Sequence, residues 1–271
     1  MSLAAFLEAS PRVIAVRLTR VRGSSPREAG TEMFVAVDGF FGTIGGGQLE
    51  YMAIDKARSM LKSGEIATEM DVPLGPEIGQ CCGGRVEISL SLMSGDARTA
   101  AMAAETRRLE ELPHVYVLGA GHVGRALSDL FQHLPVRCIL IDNRAAELGM
   151  CGAGIEKRLS VMAEADIRTA PAGSAFIVLT HDHALDFLLT AEALARHDAA
   201  YVGLIGSATK RVKFERFCAA GASKADTHRL VCPIGAVGRG DKRPEVIAAF
   251  VVAEVMAALT EMVRSPEKTA E

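Results

Sequence analysis

The sequence has no tryptophan and only three tyrosines, and aromatic residues fill 5% of its 271 positions. Surfaces built for single-stranded nucleic acid stack bases on aromatic rings, and this chain has little material for one. A basic excess is also missing: 30 Lys and Arg stand against 33 Asp and Glu, a formal net charge of -3. Basic clusters such as Arg17, Arg20 and Arg22 are short, so neither DNA nor RNA is an expected partner. No apolar run reaches the about 18 to 20 residues of a membrane span. The first ten residues carry no basic stretch ahead of their apolar ones. No membrane contact and no secretory leader are expected, and the cytoplasm is the expected compartment. The six cysteines, Cys81, Cys82, Cys138, Cys151, Cys218 and Cys232, form no C-x-x-C pair and no zinc-ribbon spacing. In that compartment they are expected to be reduced thiols.

What is present is ordinary globular material. Hydrophobic residues at 49% supply a core that must be filled by Ala, Val, Leu, Ile and Met. The length suits two compact domains or one large one, and the character of the chain changes near residues 95–112. Before that break, Arg12 to Thr19 alternates apolar and polar residues as a half-buried strand does. Thr31 to Val37 and Phe40 to Ile44 read as strands around an Asp38-Gly39 turn, and Arg85 to Leu92 as another. Helical spacing of Leu49, Met52, Ala53, Ala57 and Met60 predicts a helix from Gln48 to about Lys62. Asp96 to Leu112 reads as a linking helix with Asp96 as its N-cap, stopped by Pro113.

After the break, apolar strands alternate with helices. The strands are Val115–Leu118, Val136–Ile141, Ala175–Leu179, Tyr201–Ile205 and Arg229–Cys232, and the helices are about 123–133, 184–196, 208–219 and 244–262. That rhythm predicts an α/β chain: a C-terminal Rossmann-like parallel sheet domain (113–264) with a smaller N-terminal α+β domain (1–95), a helical linker (96–112) and a polar tail (265–271).

The strand at Val115 runs into Gly119-x-Gly121-x-x-Gly124 and a helix. The first glycine permits a tight turn, the second a close approach by phosphate, and the third close packing of helix on strand. Asp142 ends the next strand, at about the spacing where an acid binds a ribose diol. A Rossmann-like domain that binds no dinucleotide has the same pattern. His122 within the turn either faces a ligand or caps the helix. Polar clusters also follow the later strands, where open α/β sheets bind ligands. They are Thr180-His181-Asp182-His183 with Asp186, Gly206-Ser207 with Lys210, and Cys232-Pro233-Ile234-Gly235. His181, His183 and Asp186 have donor atoms suited to zinc or iron; alternatively Asp182 caps a helix and the histidines are surface residues. Lys210 is either a phosphate partner or an exposed helix lysine.

In the first half, Arg22-Gly23-Ser24-Ser25-Pro26-Arg27 combines two guanidinium groups with a loop that can cradle phosphate. Gly45-Gly46-Gly47, followed by Glu50, offers either a surface for close approach or a tight strand-to-helix connection. Cys81 and Cys82 lie in Gly79-Gln80-Cys81-Cys82-Gly83-Gly84-Arg85. A vicinal disulfide is strained, so free thiols are expected there: either Arg85 and backbone N–H groups favour a thiolate suited to soft metals, or one cysteine is buried and the other idle.

Taken together, RGSSPREAG (Arg22 to Gly30), GTIGGGQLE (Gly42 to Glu50), GQCCGGRVEI (Gly79 to Ile88), VLGAGHVGRAL (Val117 to Leu127), LTHDHALD (Leu179 to Asp186), GLIGS (Gly203 to Ser207) and CPIG (Cys232 to Gly235) resemble the XdhC/CoxI family of maturation factors. Many members have a cysteine directly after the triple glycine, where this chain has Gln48, which leaves Cys81 and Cys82 for any thiol role. The segment Gly240 to Glu245 is similar to the family's without matching it.

The resemblance implies a chaperone that binds molybdenum cofactor (molybdopterin), holds it while a cysteine desulfurase supplies its terminal sulfur, and delivers it to a xanthine-dehydrogenase-type molybdoenzyme. It also implies a homodimer and no turnover of its own. In that reading the cofactor-binding set is Arg22, Ser24, Ser25, Arg27, Gly45, Gly46, Gly47, Glu50, Cys81, Cys82, Gly119, Gly121, His122, Gly124, Asp142, His181, His183, Asp186, Ser207 and Lys210. Cys81 and Cys82 would contact the metal. The competing reading is an NAD(P)-dependent oxidoreductase that binds its cofactor at Gly119–Gly124 and Asp142, with His181 or His183 as general acid. A nucleotidyltransferase of the related branch is disfavoured by the GTIGGGQLE and CCGG segments.

Overall fold

The computed structural model describes residues 2–75, 83–222, 226–236 and 241–264. The chain divides into two units, Met1–Glu110 and Glu111–Glu271.

The first unit runs α1 (Leu3–Ala9), β1 (Ile14–Arg22), β2 (Glu32–Val35), β3 (Phe40–Gly42), α2 (Gly47–Ser63), β4 (Ala67–Leu74), β5 (Gly84–Leu92) and α3 (Gly95–Glu110). Its strands form an antiparallel sheet in the order β3-β2-β1-β5-β4. Alternation in β1 buries Ile14, Val16 and Leu18 and leaves Arg17 in solvent. Those residues share a core with the buried stripe of α2, which includes Leu49, Ala53, Ala57 and Met60. Gly64, in the left-handed region, ends α2 by donating its N–H to the Met60 carbonyl.

Two elements here were not expected from the sequence. In β4, the edge strand, only Val72 and Leu74 are buried, and Pro73 is tolerated because an edge strand has a side without a neighbour. The short α1 is capped by Ser2 and held by Phe6 and Leu7 in a small separate core. The segment read as a linker, α3, belongs to the first unit: the Arg98 guanidinium donates to the carbonyls of Leu7, Ser10 and Pro11. Its N-terminal cap is Ser94, whose hydroxyl accepts the Ala97 N–H, and not Asp96 as expected.

The second unit alternates strand and helix: β6 (His114–Leu118), α4 (His122–Phe131), β7 (Arg137–Asp142), α5 (Ala145–Gly149), β8 (Glu156–Leu159), α6 (Ala163–Thr169), β9 (Ala175–Val178), α7 (His183–Ala195), β10 (Tyr201–Leu204), α8 (Ala208–Phe217), β11 (Leu230–Val231) and α9 (Pro244–Arg264). The strands form a parallel sheet in the order β11-β10-β9-β6-β7-β8. Every residue of β9 and β10 is buried, as expected for a sheet covered on both faces. Val115, Val117, Leu140 and Ile177 pack into one core with α4 and α9, while Tyr116, Leu118, Ile139 and Phe176 pack into another with α7. The strand missed in the sequence, β8, reads Glu-Lys-Arg-Leu. It has no apolar alternation because it lies at the sheet edge, where Glu156 pairs with Arg137 and Arg158 with Asp166. The chain order reverses between β6 and β9, which places the ligand crevice of such sheets at their carboxyl ends. Among the described residues, no helix is long and apolar enough to cross a membrane.

Candidate functional site

The glycine turn sits at that reversal. Gly119 has φ +127°, and a side chain on it would meet the Leu179 carbonyl oxygen at 2.4 Å. One on Gly124 would meet the Gly119 oxygen at 1.9 Å. The two ends of the turn are therefore closed by neighbouring backbone. At Gly121 there is nothing within 4 Å, so the middle of the turn is open. Gly121 is also the N-cap of α4 and supplies no side-chain cap, which leaves the first N–H groups of the helix without a side-chain acceptor. That arrangement suits an anion. His122 is exposed as the first residue of α4 and does not cap it.

Beside the turn, a crevice is lined by Ile141, Asp142, Ser160, Val161, Thr180 and Leu185, among others. Asp142 is almost fully buried at its floor. One carboxylate oxygen accepts the Arg144 backbone N–H and Nε, both at 2.9 Å. The other accepts the Ala120 N–H at 2.7 Å and Arg144 Nη2 at 2.8 Å. Burial on its own would raise the Asp142 pKa, but the bonds from Arg144 and Ala120 outweigh it and hold the carboxyl below its usual range. Asp142 thus lies where an acid meets ribose, with its acceptor sites already filled.

A second buried charge lies farther along the strand ends. Asp186 is fully buried, and one of its oxygens accepts the Thr180 N–H and hydroxyl, each at 2.8 Å. The other accepts Lys210 Nζ at 2.5 Å. Lys210, expected to be a phosphate partner or a free helix lysine, is instead the counter-charge of this carboxylate. Ser207 caps α8, and its backbone carbonyl faces the Cys232 thiol at 4.0 Å. The three polar clusters after β9, β10 and β11 are therefore linked side by side. Tyr201 donates to Glu254 at 2.9 Å, and Glu254 also accepts the Gly235 N–H at 3.1 Å, which fixes the Cys232–Gly235 loop on α9.

His181 and His183 are exposed while Asp186 points into the interior, so these three do not gather as metal ligands. No group of three metal-binding side chains occurs among the described residues. Asp182 caps α7 through the N–H groups of Ala184 and Leu185, and those bonds lower its pKa.

In the first unit, three glycine-containing loops converge. Gly45, with φ +128°, lies against Pro26: a side chain there would come within 2.6 Å of the Pro26 ring. Gly84 lies against Ser24, with 2.0 Å from its hypothetical Cβ to the Ser24 oxygen, and Ser24 bridges to Gly83. The expected anion cradle thus abuts both other glycine segments. Its charges are partly spent: Arg22 pairs with Glu87 at 2.5 Å, and Arg85 pairs with Asp71 through two bonds at 2.7 and 2.8 Å. Arg85 is therefore engaged by a carboxylate. Arg27 is exposed, and Ser25 accepts the Arg27 N–H at 3.4 Å.

Glu50, expected to face a ligand, uses one oxygen to accept the Thr43 hydroxyl and the N–H groups of Ile44 and Gly46. It holds the triple-glycine loop in shape. Cys81 and Cys82 lie outside the described residues. Arg144 and Thr43 were missed in the sequence. The signal for Arg144 was its place two residues after Asp142; Thr43 offered none.

A doubly wound parallel sheet with a dinucleotide-type turn, preceded by an antiparallel α+β unit, defines the class of protein. Residues 115–255 match the family model described as the XdhC Rossmann domain, and residues 6–70 match that of the XdhC and CoxI family. The chain belongs to the XdhC and CoxI family. Among solved structures, it is similar to a Bacillus halodurans chain described as a xanthine dehydrogenase, with 17% identity, a TM-score of 0.75 and 96% of each chain covered. At that identity the likeness speaks for the fold. No curated protein matches the sequence. Family membership fits an accessory role.

Proposed function

We propose that this chain binds molybdenum cofactor and delivers it to a xanthine-dehydrogenase-type enzyme, after a cysteine desulfurase has supplied the cofactor's terminal sulfur. It does so in the cytoplasm and as a homodimer. The observation that carries the reading is the state of the two buried carboxylates at the strand ends. Asp142 is closed by Arg144 and Asp186 by Lys210, so the buried carboxylates shape a binding surface and are not free to act as bases.

The open N-terminus of α4 at Gly121 fits the cofactor's phosphate. Ser160 and Thr180 offer hydroxyls, and Val161 and Leu185 apolar walls, to a planar ring system. In the first unit, Ser24, Ser25 and Arg27 beside the triple glycine form a polar surface suited to an anion. Cys81 and Cys82 are the thiols suited to its metal. When bound, the cofactor supplies the redox chemistry of the recipient enzyme; the residues here bind, orient and shield it.

The test is purification from cells that make the cofactor, with molybdenum measured by mass spectrometry and the pterin by fluorescence after oxidation. Bound molybdenum and pterin that activate an apo-dehydrogenase are the expected result. Joint replacement Cys81→Ser and Cys82→Ser should lower metal retention or sulfuration. Absence of both molybdenum and pterin from the purified protein sinks the proposal.

The NAD(P)-dependent oxidoreductase reading is favoured by one observation, the complete dinucleotide turn at the β6/β9 reversal. The filled acceptor sites of Asp142 weigh against it.

A further inference from the structure

In dinucleotide sites of this topology, the acid at the end of the second strand takes the ribose diol through free carboxylate oxygens. Here that acid has no free oxygen. Four N–H groups fill Asp142, and three of them come from Arg144: its backbone N–H, Nε and Nη2. The pair is held from both sides. Asp142 is the last residue of β7, with its side chain only 4% exposed, and Arg144 lies within 3.8 Å of Glu147 on α5. Glu147 is in turn bonded at 2.9 Å by Arg125 of α4. The guanidinium is thereby kept on the carboxylate of Asp142, which lines the crevice.

We infer that Arg144 is the specificity-determining residue of this crevice: it denies the site to ligands that enter through an unphosphorylated ribose diol and reserves it for ligands that do not need Asp142. This inference rests on the crevice being the ligand site, as proposed above. The physical reason is the cost of exchange. A diol donates to the carboxylate from two neutral hydroxyls, whereas the fork it must displace is bidentate with both partners charged, the stronger arrangement. Displacement also leaves an arginine without its partner beside the ligand.

The experiment is NADH titration of the full chain, followed by nicotinamide fluorescence, for the parent and for Arg144→Ala. Arg144→Ala should bind NADH at least about tenfold more tightly, the size of one charge-assisted hydrogen-bond exchange. A second variant, Arg144→Ala with Asp142→Asn, keeps an acceptor for the Ala120 N–H but removes the charged diol partner, and should lose most of that gain. Thermal melts confirm that both variants fold. Equal NADH affinity in parent and Arg144→Ala, including no measurable binding by either, overturns the inference, as does a gain that survives Asp142→Asn. NADH binding is read without molybdenum, so failure of this inference and failure of the carrier reading are told apart.

Discussion

Replacing Lys210 by methionine removes the charged partner of a fully buried carboxylate, Asp186. The side chains of Asp186 and Lys210 are 1% and 11% exposed, so little solvent reaches the pair. Breaking a buried pair by removing one partner costs about 3–5 kcal/mol, because the remaining charge is stranded. Thr180 continues to donate two hydrogen bonds to the other Asp186 oxygen, which puts the expected loss near the lower bound, about 3 kcal/mol. In a unit of this size each kcal/mol lowers the melting temperature by about 2–4 °C, so the transition of the second unit should fall by about 6–12 °C. Scanning calorimetry of parent and Lys210→Met at pH 7 reads this directly. Adding Asp186→Asn removes the stranded charge and keeps an acceptor for Thr180, and should recover at least about half of the loss. A fall of less than about 2 °C in the single variant, or no recovery in the double, would show that the pair does not stabilise the second unit.

The glycines of the turn make opposite demands. Gly124→Val should cost at least about 2 kcal/mol by overpacking against the Gly119 carbonyl. Gly121→Ala, facing open space, should stay within about 0.5 kcal/mol in the same melts. Because its folded-state pKa is lowered, ionised Asp142 stabilises the fold above its unfolded value of about 3.9, and the contribution is lost as pH falls through the folded value. The stability difference between the parent and Asp142→Asn should therefore be largest near neutrality and shrink below about pH 4 in denaturant titrations. Burial pushes the Cys138 thiol up to about 12, so iodoacetamide at pH 8 should leave it unlabelled in the native chain and modify it only in denaturant, as read by peptide mass spectrometry. Tyr201→Phe should cost about 1 kcal/mol through the lost bond to Glu254, seen as a lower denaturant midpoint.

Local pattern carried much of the fold. Continuous apolar runs at Val115, Ala175 and Tyr201 separated by helical spacing make a doubly covered parallel sheet without reference to anything distant, and Gly119-x-Gly121-x-x-Gly124 marks its turn, because the demands on those glycines come from adjacent backbone. The edge strand β8 was illegible for the converse reason, having no apolar alternation; β4 does alternate at Met70, Val72 and Leu74, but Pro73 inside the run argues against a strand. Residue type also marked Asp142, Asp186, Lys210, Glu50 and Arg22 as candidates. What each does was decided by tertiary neighbours. Lys210 meets Asp186, 24 positions away; Arg22 meets Glu87, 65 away; and Glu50 turns back on its own glycine loop. A buried charge takes whichever partner folding brings within reach, and one-dimensional spacing does not encode that choice.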